Sequence, residues 1–186
     1  SKLNYIFLHQ YFGATFLGLI ILRIYWGFYG SYYSRFKNFY YSPYEIFLFL
    51  KGNYNHKGGH NPLGSLSIFS FYFVITVLAV SGLFSSDDIL FEGPLVFIFP
   101  EFTNVFTKTH NFFHYLIYAQ ISLHILAIFY YQFFKKEKLI HQMFDGKSRN
   151  KKYGIEKMSI KPQIIGFLIL LFCLSAPSLI IFIFSN

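Results

Sequence analysis

Four histidines, His9, His110, His114 and His124, fall within apolar stretches of the chain, where an ionisable side chain is costly and is usually kept for a function. His110 and His124 are fourteen residues apart. On a helix, fourteen steps of about 100° end roughly 40° short of four turns and advance about 21 Å, so the two imidazoles share a face at two depths. That placement suits two stacked haems, one near each membrane surface, held by neutral imidazole nitrogens from facing helices. His9 lies near the end of an earlier apolar stretch, at the depth of His110, and the two are read as an axial pair. Gly13, one turn from His9, removes a side chain where a porphyrin face would approach, and Gly18 would do the same further along. Close helix packing is the alternative for each glycine. Arg23, fourteen residues after His9, is a candidate partner for a haem propionate, with snorkelling to lipid headgroups as the alternative. Interhelical hydrogen bonding is the simpler expectation for His114. His56, His60 and His141 lie in loops or at interfaces, where solvated histidines need no special role.

The elements that must position these residues are apolar helices. A chain with 54% hydrophobic and 24% aromatic residues is too apolar for an ordinary soluble surface. Its 27 Phe and 16 Tyr would pack well around a flat macrocycle, although a compositional bias gives the same numbers. Stretches of about 20 apolar residues number four, over about 5–28, 62–84, 109–134 and 163–184. None has the basic leader and small-residue cleavage site of a signal peptide. The chain begins at Ser1, without Met and directly before a span, so an omitted or processed preceding segment is expected.

The net charge of +8 does not form a basic face for nucleic acid; it sits in blocks between the spans. Arg35, Lys37, Lys51 and Lys57 occupy the first connection, and nine Lys or Arg occupy residues 135–161. Both connections are predicted to be cytoplasmic, because basic residues are retained on that side. The connection between them, 85–108, carries Asp87, Asp88, Glu92 and Glu101 against Lys108 and is predicted to face outside, with both termini. One cysteine, Cys173, excludes an intrachain disulfide or a multi-cysteine metal site.

Several segments together resemble the bacterial cytochrome b561 family and the related b-type cytochrome subunits of nickel-iron hydrogenases. They are His9 with Gly13 and Arg23, the run Ile24-Tyr25-Trp26-Gly27-Phe28-Tyr29-Gly30-Ser31, Ser34-Arg35-Phe36, Ser42-Pro43, Gly59-His60-Asn61-Pro62-Leu63-Gly64, Ser81-Gly82-Leu83, and the third span from His110 through His124 to Lys135-Lys136-Glu137-Lys138 and Met143. The resemblance runs from about His9 to Arg149. It implies an all-α membrane protein, a transmembrane four-helix bundle binding haem b, in the bacterial inner (cytoplasmic) membrane. His9 and His110 would bind an outer haem and His124 an inner one. The family's first helix, which brings the other ligand of the inner haem, has no counterpart before His9, so haem b is expected once or twice, with the second axial ligand of the inner haem not found in this chain. Residues 1–149 then form the cytochrome b561-like domain and 150–186 an additional C-terminal span. The implied function is electron transfer between an outer-face redox subunit, such as a hydrogenase or a c-type cytochrome, and quinone, within an oxidoreductase complex of the respiratory chain rather than as a stand-alone enzyme. Omission of that helix from this sequence, or its supply by a separate chain, is the expectation, with an altered or absent inner haem as the alternative. The alternatives are a haem-edge oxidoreductase acting directly on quinone or superoxide, and a haem-free membrane anchor. His60 is a candidate for a quinone headgroup or a proton, against capping by His60-Asn61-Pro62 as the simpler reading.

Overall fold

The computed structural model describes residues 2–53, 61–87, 89, 91–136, 140 and 160–184, with the backbone alone for 2–4, 33 and 176–184. His56, His60 and His141 lie outside the described residues. The described chain is helical: α1 (Lys2–Tyr29), α2 (Phe36–Phe39), α3 (Pro43–Leu50), α4 (Pro62–Leu83), α5 (Thr103–Phe133) and α6 (Ile160–Phe184), with short 3₁₀ turns at Tyr32–Ser34, Val96–Ile98 and Pro100–Phe102. An isolated antiparallel bridge joins Ser86 and Glu92.

Three of these helices are long and apolar enough to cross a bilayer, Tyr5–Tyr29, Pro62–Leu83 and Pro100–Phe133. α6 is apolar over its described side chains, Ile160–Ser175. Phe112, Leu123, Leu126 and Phe172 are more than three-fifths exposed, whereas Ser65 and Ser81 are buried. A water-soluble fold could not leave so much contiguous apolar surface uncovered, and hydrocarbon is the solvent that makes this arrangement stable.

Local chemistry fixes the helix ends. Asn61 caps α4 by accepting from the Gly64 amide at 2.6 Å, with Pro62 at the first helical position, where its missing N–H costs nothing. Ser42 and Glu45 form a capping box on α3. That helix closes with Gly52 at φ 76°, where Gly52 donates to Phe49 and Asn53 to Leu48, a Schellman stop. Beyond α1, the Gly30 carbonyl accepts from Arg35 Nε at 2.7 Å. α5 begins at Thr103, six residues before the expected 109. Hydropathy alone stops at Lys108, but the turn Pro100–Phe102 has already set the backbone, and Thr103 and Thr107 extend the helix beyond its apolar part.

The extensive helix contacts run α6–α1–α4–α5, each helix against the next. α1 and α6 are antiparallel, since Gly18 meets Cys173 while Trp26, further along α1, meets Gly166, earlier on α6. A Cβ on Gly18 would lie 2.5 Å from that of Cys173, and one on Gly166 would enter the Trp26 indole. Gly18 therefore serves close helix packing, the alternative weighed for it, and not the approach of a porphyrin.

Candidate haem site

α4 and α5 form an antiparallel hairpin whose register is locked at the loop. Thr107 Oγ1 accepts from the Ser86 amide and donates to the Ser86 carbonyl, both at 3.1 Å, and Phe84 stacks on Phe106 at 4.8 Å. A turn below this clamp, His110 reaches back to α4. Its Nδ1 lies 2.8 Å from the Leu78 carbonyl, and Ser81 Oγ, which donates to the same carbonyl at 3.1 Å, is 3.5 Å from Nδ1. A carbonyl only accepts, so Nδ1 carries the proton, and a neutral imidazole then leaves Nε2 as a free lone pair. Histidines that bind metals are held in this way.

His110 approaches α4 closely because Gly82 has no side chain; a Cβ there would lie 3.0 Å from His110 Cε1 and 3.1 Å from Nδ1. Gly82→Val is therefore expected to swing the imidazole off the Leu78 carbonyl. Spectra of purified Gly82→Val should show weakened or altered haem absorption, while the conservative change Ser81→Thr should leave it intact.

α1 brings His9 to the other side of His110. The ring centroids are 5.9 Å apart with perpendicular planes. That separation would put a nitrogen from each ring within reach of one bound metal. Around Gly13, an added Cβ would meet nothing within 4 Å beyond its own stretch of helix among the described residues, so that side of α1 has open space one turn from His9. His9 is exposed and His110 partly buried. Among the described residues, no three His, Cys, Asp or Glu side chains converge. The donor set on offer is two imidazoles beside an open space, and it fits an iron whose remaining positions are filled by a macrocycle.

His124 also faces α4: its Nδ1 lies 3.3 Å from Ser67 Oγ, and its ring meets Phe71 edge-on at 5.4 Å. Among the described residues, the hydrogen bond of His114 stays within its own helix. Its Nε2 pairs with the Tyr118 hydroxyl, one turn along α5, at 3.1 Å. Arg23 donates to the Ser34 carbonyl at 3.2 Å, and its guanidinium lies over the rings of Phe36 and Tyr72 at 5.5 Å and of Phe39 at 6.0 Å. Neither plain snorkelling nor a free cation describes it; the aromatic turn after α1 and the wall of α4 cage it.

Sequence reasoning did not single out Leu78, Ser67 or the contact of Gly82 with His110. A backbone carbonyl leaves no mark on residue type. The two serines do carry a signal, because Ser67 and Ser81 are spaced fourteen apart, as are His110 and His124.

Fold and site together define a polytopic helical membrane protein with paired imidazoles between its spans. A family model described as prokaryotic cytochrome b561 matches residues 2–146, and the chain belongs to that family. Membership makes it a membrane b-type cytochrome of electron transfer. Comparison with curated proteins and with solved structures gave no match.

Proposed function

We propose that the chain is the b-type cytochrome subunit of a bacterial inner-membrane redox assembly, passing electrons between an outer-face redox subunit, such as a hydrogenase or a c-type cytochrome, and quinone. The observation that carries this reading is the His9–His110 pair, with rings 5.9 Å apart and His110 fixed through Nδ1 on the Leu78 carbonyl. Haem b supplies the one-electron couple when bound. The chain's part would be to hold the outer group through His9 and His110, to leave room for it beside Gly13, and to present His124 to an inner group whose second ligand would come from a helix preceding residue 1 or from another polypeptide. Arg23 makes one hydrogen bond among the described residues. A guanidinium has five N–H donors, so others remain for a propionate. No side chain is asked to act as acid, base or nucleophile.

The basic connections then face the cytoplasm and the acidic loop at 85–108 faces outside. Residues 1–149 form the cytochrome domain of a four-helix bundle, and α6, which starts at Ile160 beyond the matched region, adds a further span against α1. A reduced-minus-oxidised spectrum of the chain purified with its neighbouring polypeptides tests the reading: b-type bands that appear on reduction by quinol or by the outer subunit support it, and protein carefully purified without haem overturns it.

A further inference from the structure

The polar contacts between α4 and α5 follow one antiparallel register. Ser81 lies against His110, Ser67 lies against His124, and between them Ser70 Oγ accepts from Gln120 Nε2 at 2.8 Å. Each imidazole thus meets a serine through the same nitrogen, Nδ1, and the two serines repeat the spacing of the two histidines. The sites differ in one respect. At His110 the main acceptor is the Leu78 carbonyl at 2.8 Å, with Ser81 more distant. At His124, Ser67 Oγ is the polar group recorded against the ring among the described residues, at 3.3 Å.

A hydroxyl, unlike a carbonyl, can accept or donate, so Ser67 by itself leaves the tautomer of His124 open. Binding iron through Nε2 closes the choice, since that nitrogen must then lack a proton and Nδ1–H must donate to Ser67. We propose that Ser67 is the positioning residue of the inner site: it accepts from Nδ1 of His124, fixes the ring's rotation, and holds Nε2 towards the inner haem. Ser81 is the corresponding but redundant serine of the outer site. The inference rests on the reading of His124 as an inner haem ligand.

Three consequences separate positioning from mere packing. Loss of a partner that orients a ligating histidine typically costs about 10–100-fold in metal affinity, so Ser67→Ala should weaken retention of the inner haem by that order. It should also raise the midpoint potential of any inner haem retained, because an imidazole without an acceptor on Nδ1–H is a less basic ligand and stabilises ferric iron less. Ser67→Thr keeps the hydroxyl and should restore both quantities. Ser81→Ala should leave the outer haem in place, since the Leu78 carbonyl still holds His110.

The experiment measures haem b content and potentiometric titrations of the full chain, expressed with its neighbouring polypeptides in membranes, for Ser67→Ala, Ser67→Thr, Ser81→Ala and His124→Ala. Selective loss or upward shift of one haem in Ser67→Ala, rescued in Ser67→Thr, supports the proposal. If His124→Ala removes a haem while Ser67→Ala matches the unaltered chain, Ser67 has no positioning role and the proposal falls alone. Should His124→Ala leave haem content unchanged, the inner-site reading fails and takes the proposal with it.

Discussion

His110→Ala is expected to abolish binding of the outer haem while the chain still inserts and packs. The substitution removes a nitrogen that is both freed for a metal and aimed by a hydrogen bond, because Nδ1 is committed to Leu78. A ligand lost outright should cost more than the about 10–100-fold typical of losing an orienting partner. The fold, by contrast, loses little. The Leu78 carbonyl keeps its bond from Ser81, and the loop clamp of Ser86 with Thr107 does not involve the imidazole. Interhelical hydrogen bonds in membranes are worth about 0.6 kcal/mol on average and about 1.7 at most, so the missing bond should not separate α4 from α5. His9→Ala should give the same spectral loss, and His114→Ala should not, because His114 spends its nitrogen on Tyr118 of its own helix. Haem content of the three purified variants checks this. If His110→Ala retained full haem content, the histidines would be packing groups, and the chain would be read as a haem-free anchor.

Apolar length made three membrane-spanning helices legible, because it follows from the bilayer alone, and residue type with helix spacing picked out the histidines that face α4. His9 and His110 are 101 positions apart in the chain, yet a shared depth was enough to pair them, and their rings do meet. Neighbour relations were much less legible. α6 is apolar all round from Ile164 to Leu174, so no stripe marks the side that packs on α1. Gly18 could equally have been cleared for a macrocycle or for a helix, and only its approach to Cys173 decides between them. The surroundings of Arg23 were illegible for a related reason. A cation near a membrane surface has water and headgroups as default partners, and nothing in its spacing announces that Phe36, Phe39 and Tyr72 converge on it from two other elements. The early start of α5 shows the same limit, since hydropathy finds where a helix enters lipid and not where it begins.

The inner site leads to the second large effect. His124 has Ser67 and Phe71 as its ring contacts from α4, and no second imidazole is recorded against it among the described residues. His9, the histidine of α1, is engaged with His110. An inner haem held by His124 therefore needs a second ligand from outside the described residues, whether from further chain or from a neighbouring polypeptide, and its presence should depend on which of these accompanies residues 1–186. Purified with its neighbouring polypeptides and any preceding helix, the chain is expected to carry both haems; residues 1–186 purified alone should retain only the outer one, with a haem content that matches His124→Ala. In the complex, His124→Ala should remove the inner haem and spare the outer, because the His9–His110 contact and the Leu78 bond lie about 21 Å along α5 from residue 124. The two haems are then separable by two routes, one acting on the ligand in this chain and the other on the ligand outside it, and both routes should converge on the same residual spectrum. Residues 1–186 that hold two haems when purified alone would show that the second ligand lies within them, and the need for further chain or a partner would fall.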